Sequence, residues 1–131
     1  MVRASVLNLD IGNLFSVVSG LTMSACEVGI STPRYDLEEA DLIVLPGGGN
    51  FKTAASRAEQ ARAQHEDQVK AGKYLLGICL GYQLLFERSE EGEGRGLGLL
   101  AGEVTRLPGH VKIPHMGGDS LEISKPHDVL S

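Results

Sequence analysis

The side chains with the greatest nucleophilic potential in this sequence are two cysteines, Cys26 and Cys79, and their surroundings differ. Cys79 stands in Gly77-Ile78-Cys79-Leu80-Gly81-Tyr82-Gln83, with a glycine two residues to either side. The apolar run Tyr74 to Ile78 precedes it, and a stretch with helical character, Leu80 to Glu87, follows. A thiol between a buried strand and the first turn of a helix matches the cysteine form of a nucleophile elbow, in which flanking glycines permit the sharp turn that lifts the side chain above the sheet. The partial positive charge of a helix N-terminus favours the thiolate, the attacking species. A free cysteine can also be just a small buried apolar residue. The paired glycines argue for the nucleophile.

Acyl transfer to a thiol also needs donors aimed at the oxyanion of the tetrahedral intermediate. By position, one donor is the backbone amide of Leu80. The other candidates are Gly47, Gly48 and Gly49, which follow the apolar run Leu42-Ile43-Val44-Leu45 and whose bare backbone permits close approach to a substrate. Taken alone, a glycine triplet fits a turn or a phosphate cradle equally well. A thiol nucleophile normally works with a histidine base. His65 lies in a polar helical stretch and is expected to be solvated, His110 sits beside a Pro-Gly turn, and His127 is near the end of the sequence. His115 has a more defined context, yet none of the four is an obvious partner for the thiol. The cysteines are too few and too far apart for a disulfide framework or a zinc site, so no metal or cofactor is expected.

The elements that must position Cys79 are legible from apolar periodicity. Strands are expected at Ala4 to Leu9, Glu27 to Ser31, Leu42 to Leu45 and Tyr74 to Ile78, the last two buried on both faces as in a parallel sheet. Helices are expected from Leu14 through Leu21 with Asn13 as N-cap, from Ala54 to Ala71 with Gly72 as C-terminal cap, and from Leu80 to Glu87. Ser89 to Gly98 reads as a solvated loop, and Glu103 to Leu107 and Ser120 to Ile123 as further strands. Strands alternating with helices predict one doubly wound α/β domain with a mostly parallel, flavodoxin-like sheet, whose site lies beyond the carboxyl ends of the strands.

Composition bounds the function. Twelve basic and seventeen acidic residues give a net charge of −5 with the signs interspersed, which leaves no basic stripe for nucleic acid. No apolar run approaches the roughly 18 residues of a membrane span, and the first strand lacks the features of a signal peptide. A cytoplasmic protein without nucleic-acid or membrane partners is expected.

The segment Gly77 to Phe86 resembles the signature of class I glutamine amidotransferases. Four further segments narrow the resemblance: Ile11-Gly12-Asn13-Leu14 with Ser16-Val17, Leu45 to Gly49, Gly96-Leu97-Gly98-Leu99, and Lys112-Ile113-Pro114-His115-Met116-Gly117. In this order they resemble the glutaminase subunits of imidazole glycerol phosphate synthases, over essentially the whole chain, residues 1–131. The resemblance implies hydrolysis of glutamine through a thioester on Cys79 and delivery of ammonia to a (β/α)8-barrel cyclase subunit. It also implies that Gly47 to Gly49 line the oxyanion and substrate site, that Gln83 helps hold glutamine, and that Asn13 and Pro114, His115, Met116 and Gly117 lie near the partner interface.

The sequence departs from the resembled family in three places. The His-Pro-Glu motif that supplies the family's base is absent, so a chain ending within the family's span, and a fold incomplete at its carboxyl end, are expected. Gly118-Asp119 stands where the family has Trp-Asn, and Asp10 where it tends to have Gly. Three other readings remain at this point: another class I amidotransferase such as the glutaminase of pyridoxal phosphate synthesis, which the segment Lys112 to Gly117 disfavours; a non-catalytic relative that only docks a barrel partner; and a flavodoxin-like phosphate binder in which Cys79 is structural.

Overall fold

The computed structural model describes residues 1–9, 14–31, 38–60 and 62–127. Four strands form its parallel sheet: β1 Arg3–Leu7, β2 Glu27–Ser31, β3 Leu42–Leu45 and β4 Tyr74–Gly77, in the order β2-β1-β3-β4. The chain thus runs outward from β1 to β2, returns across β1 to β3 and continues to β4, which is the doubly wound arrangement. Register is continuous across the sheet, with Ser5 beside Ile43 and Ile43 beside Leu75.

That register assigns the faces. Leu7, Ile43, Leu45 and Leu75 share one face and pack with Phe51, Ala54, Ala55 and Ala58 of α2 (Phe51–Glu59) and with Leu80 of α4 (Leu80–Gln83). Burying this apolar layer is the main favourable term of the fold. Helix α1 (Leu14–Met23) serves the opposite face, where its Val17 and Leu21 line a shallow pocket with Ile78, yet none of its residues is fully buried. The expected Asn13 cap lies outside the described residues.

Several expectations need correction. Instead of one helix over 54–71, α2 begins at Phe51 and closes at Gln60, and α3 runs separately over Arg62–Lys70. Asn50 brings the start forward: its Oδ1 accepts from the amides of Lys52 at 2.8 Å and Thr53 at 3.4 Å. The helix-forming residues between suit either arrangement, so tertiary contacts decide. Gly72, at φ +89°, does end α3, with its amide donating to Val69 O and that of Lys73 to Gln68 O.

His65 is fully buried, not solvated. It shares the inward side of α3 with Arg62 and Val69, at a spacing of three and four residues, and the otherwise polar composition of α3 concealed that side. Strand β4 is not buried on both faces. It is the sheet's edge in the described structure, and Tyr74 is 77% and Leu76 39% exposed on the face that α1 only partly covers.

Beyond α4, β5 (Arg88–Ser89) pairs in parallel over two residues with β6 (Glu103–Val104), which is shorter than the strand expected over 103–107. The loop between is not wholly solvated, because Leu97 is buried in the core. Residues 105–127 hold no helix or strand, and all are exposed. The strand expected over Ser120 to Ile123 is therefore absent, since a strand needs a paired neighbour to satisfy its backbone. No helix of the described residues is long and apolar enough to cross a membrane.

Candidate functional site

The site forms where β3 and β4 end side by side. Pairing continues one step past β4, with the Ile78 amide donating to Leu45 O at 3.0 Å, and the chain then turns sharply at Cys79. Cys79 has φ 54° and ψ −113°, a conformation that L-residues rarely adopt and that costs on the order of 1–3 kcal/mol. Its side chain is exposed, whereas Leu80 and Gly81 directly after it are buried. A strained, exposed cysteine on a buried support is the geometry expected of an elbow.

Close packing requires the flanking glycines. A β-carbon on Gly81 would lie 1.9 Å from Leu45 O, and one on Gly77 would lie 2.7 Å from the α-carbon of Tyr82. The loop after β3 approaches equally closely. A β-carbon on Gly47 would lie 2.4 Å from the Leu80 amide nitrogen and 2.5 Å from that of Gly81. Gly47 is thus packed against the elbow backbone itself. Gly49, at φ +90°, adopts a backbone that a side chain would strain, and Asn50 ties the far end of this loop to α2.

Within the turn after Cys79, the Gly81 amide donates to Ile78 O, and those of Tyr82 and Gln83 donate to Cys79 O. The Leu80 amide has no acceptor among the described residues, as the first amide of a helix normally has none. The α-helical part is a single turn, shorter than the expected Leu80 to Glu87; the chain then tightens, with Leu85 donating to Tyr82 O and Phe86 to Gln83 O.

Gln83 lies one turn beyond Cys79 and is held in place. Ser89 Oγ donates to Gln83 Oε1 at 2.9 Å, Gln83 Nε2 donates to Glu91 Oε2 at 3.0 Å, and the Glu91 amide donates to Ser89 Oγ at 3.1 Å. Gln83, Ser89 and Glu91 line a pocket of about 520 Å³, with Val104, Arg106 and Ile113 on its other walls. Sequence reasoning passed over Ser89 and Glu91, which sit in a Glu-rich stretch that reads as solvated. The available signal was Glu91 itself, eight residues beyond the selected Gln83.

The remaining sequence-selected residues are not gathered here by the described geometry. Asn13 lies outside the described residues. Pro114, His115, Met116 and Gly117 belong to the exposed segment, with Met116 83% exposed. The Cys26 thiol, at the end of the turn after α1, reaches Ser24 O at a long 3.9 Å.

A family model described as the CobB/CobQ-like glutamine amidotransferase domain matches residues 7–113. The chain belongs to this family. The match runs from Leu7, the last residue of β1, to Ile113 on the pocket wall, and so includes the loop after β3 and the turn at Cys79. Curated relatives agree: imidazole glycerol phosphate synthase subunit HisH of Microcystis aeruginosa is 44% identical over 99% of this chain and 63% of its own length. The subunit of the same name from a Cyanothece strain is 44% identical over 96% of this chain and 62% of its own. The chain spans a little under two thirds of these relatives. Among solved structures, a peptidase E protein of Listeria monocytogenes aligns with a TM-score of 0.53 at 17% identity, covering 65% of this chain and 50% of its own, a likeness of fold alone.

Proposed function

We propose that this chain carries the nucleophile half of a glutaminase site, and that it works as the glutaminase subunit of a cytoplasmic imidazole glycerol phosphate synthase heterodimer. The observation that carries the reading is the contact of Gly47 with the Leu80 amide beside the strained Cys79, which brings a nucleophile and two candidate sources of oxyanion donors to one point.

In this reading Cys79 Sγ attacks the side-chain amide carbon of glutamine. The carbonyl oxygen takes the negative charge and accepts from the Leu80 amide and from the backbone of Gly48 and Gly49. The C–N bond then breaks, and the thiol proton leaves with ammonia. Water hydrolyses the γ-glutamyl thioester to glutamate and restores the thiol. In the same reading Glu91, hydrogen-bonded to Gln83, receives the substrate's ammonium, and Gln83 offers its amide to the same end of the ligand. Asn13 and Pro114 to Gly117 form the surface toward a (β/α)8-barrel cyclase, which takes up the ammonia. No His-Pro-Glu tripeptide occurs in these 131 residues, so the base of the resembled family is not among them.

The test is a chimera in which this chain is joined to the part of the Microcystis relative that it does not match, mixed with a cyclase subunit. Glutamate release from L-glutamine is expected, with none after Cys79→Ser. Absence of release from the chimera, or release that survives Cys79→Ser, contradicts the proposal.

A further inference from the structure

The turn that bears Cys79 ends on four carbonyls, those of Leu84, Leu85, Phe86 and Glu87, and one loop satisfies all of them. Leu97 donates to Leu84 O at 2.6 Å, Leu100 to Leu85 O at 2.9 Å, Gly98 to Phe86 O at 3.2 Å and Gly96 to Glu87 O at 2.8 Å. The approach is so close that a β-carbon on Gly96 would lie 1.9 Å from Phe86 O. The end of a helical turn that is usually left to water is here closed by backbone.

One side chain holds that loop from behind. Arg62, at the start of α3, donates from Nη2 to Gly96 O at 2.8 Å and from Nη1 to Leu97 O at 3.0 Å. Its Nε donates to Glu59 Oε2 at 2.8 Å, and its side chain is only 14% exposed. A planar guanidinium can serve two carbonyls and a carboxylate together, whereas an ammonium cannot match that fork. The Arg62 contacts therefore run in sequence to Gly96 and Leu97, to the carbonyls of 84–87, and through the Leu84 amide on Leu80 O at 3.1 Å to the residue after the nucleophile.

We propose that Arg62 is a positioning residue for Cys79: by clamping Gly96 and Leu97 onto the end of the nucleophile turn, it fixes the height of Cys79 and of the Leu80 amide against Gly47 to Gly49. It touches no reacting atom. The effect on glutamine chemistry rests on the glutaminase reading; the mechanical coupling does not.

The experiment uses the full chain with Cys26→Ser, so that one thiol reacts, and compares Arg62 with Arg62→Met and Arg62→Lys. Amide exchange is followed by NMR, and alkylation of Cys79 is timed with iodoacetamide and with a chloroketone analogue of L-glutamine. Arg62→Met is expected to speed exchange at Leu97 and Leu84 together, and to lower the ratio of chloroketone to iodoacetamide rates by about tenfold, the scale of a sub-ångström misplacement. Arg62→Lys is expected to fall between, and it decides the matter if the Met variant does not fold. Faster exchange at Leu97 with Leu84 exchange and the rate ratio unchanged would overturn the proposal, leaving Arg62 a mere clip on the loop. If the unsubstituted chain shows no preference for the chloroketone, the glutaminase reading fails instead. The coupling is then judged on exchange at Leu84 and on the iodoacetamide rate: a change in both supports it, and no change in either overturns it.

Discussion

The position a β-carbon would take on Gly47 lies 2.4 Å from the amide nitrogen of Leu80, so the loop after β3 and the elbow after β4 meet through bare backbone. Gly47→Ala must push the two apart. Overpacking of this kind costs about 1–3 kcal/mol, and Gly81→Ala, aimed at Leu45 O from 1.9 Å, is expected to cost more. Gly20→Ala supplies the contrast: with nothing near its β-carbon in the middle of α1, it is expected to stabilise by about 0.5–1 kcal/mol. Urea midpoints of the three variants check the order, and a harmless Gly81→Ala would refute the packing described.

Strain at Cys79 has its own signature. Since φ 54° and ψ −113° suit glycine better than an L-residue, Cys79→Gly is expected to be more stable than Cys79→Ala by about 1 kcal/mol in guanidinium unfolding, although neither keeps the thiol. An alanine variant as stable as the glycine variant would mean that the elbow is relaxed.

The hydrogen bond from Gln83 to Glu91 makes a separate claim about substrate. Glu91→Gln keeps the shape of the side chain and removes its charge, so protection of Cys79 by L-glutamine should weaken by about ten- to a hundredfold, the scale of a lost charged hydrogen bond. Alkylation by iodoacetamide should barely change. Undiminished protection would place the substrate's ammonium elsewhere.

Hydrogen bonding from Arg62 holds the carboxyl of Glu59 below its ordinary value of 4.5, with attraction to Arg62 and Arg95 adding to the effect and desolvation opposing it. A carboxylate depressed in the folded state stabilises above its unfolded value and loses that contribution as pH falls through the folded one. The stability difference between the unsubstituted chain and Glu59→Gln should thus be present at neutral pH and be lost as pH falls below 4.5 and through the lower folded-state value. With the Glu59 side chain 53% exposed, solvent screening keeps the difference under about 1 kcal/mol. A difference that persists unchanged to acid pH would contradict this assignment.

Much of this arrangement was legible in the sequence because it depends on short-range pattern. Apolar runs bounded by turn-forming residues located β1, β3 and β4, and the paired glycines around Cys79 located the elbow. What escaped depends on contacts between distant residues. His65 and Arg62 sit in a stretch without apolar periodicity, and the carbonyls of Gly96 and Leu97 that Arg62 serves lie more than thirty residues away in sequence. Ser89 and Glu91 lie in an acidic run whose composition suggests solvent, and their value comes from the Gln83 side chain they hold. Burial of β4 was misjudged because an apolar strand reads the same at an edge as at a centre.

The central claim is that Cys79 is a nucleophile in a site shaped for glutamine, and intact mass with peptide mapping after treatment with the L-glutamine chloroketone tests it most directly. A single adduct on Cys79, absent from Cys26 and suppressed by L-glutamine but not by D-glutamine, is the predicted result. Equal labelling of both cysteines, or labelling that L-glutamine does not suppress, would contradict it.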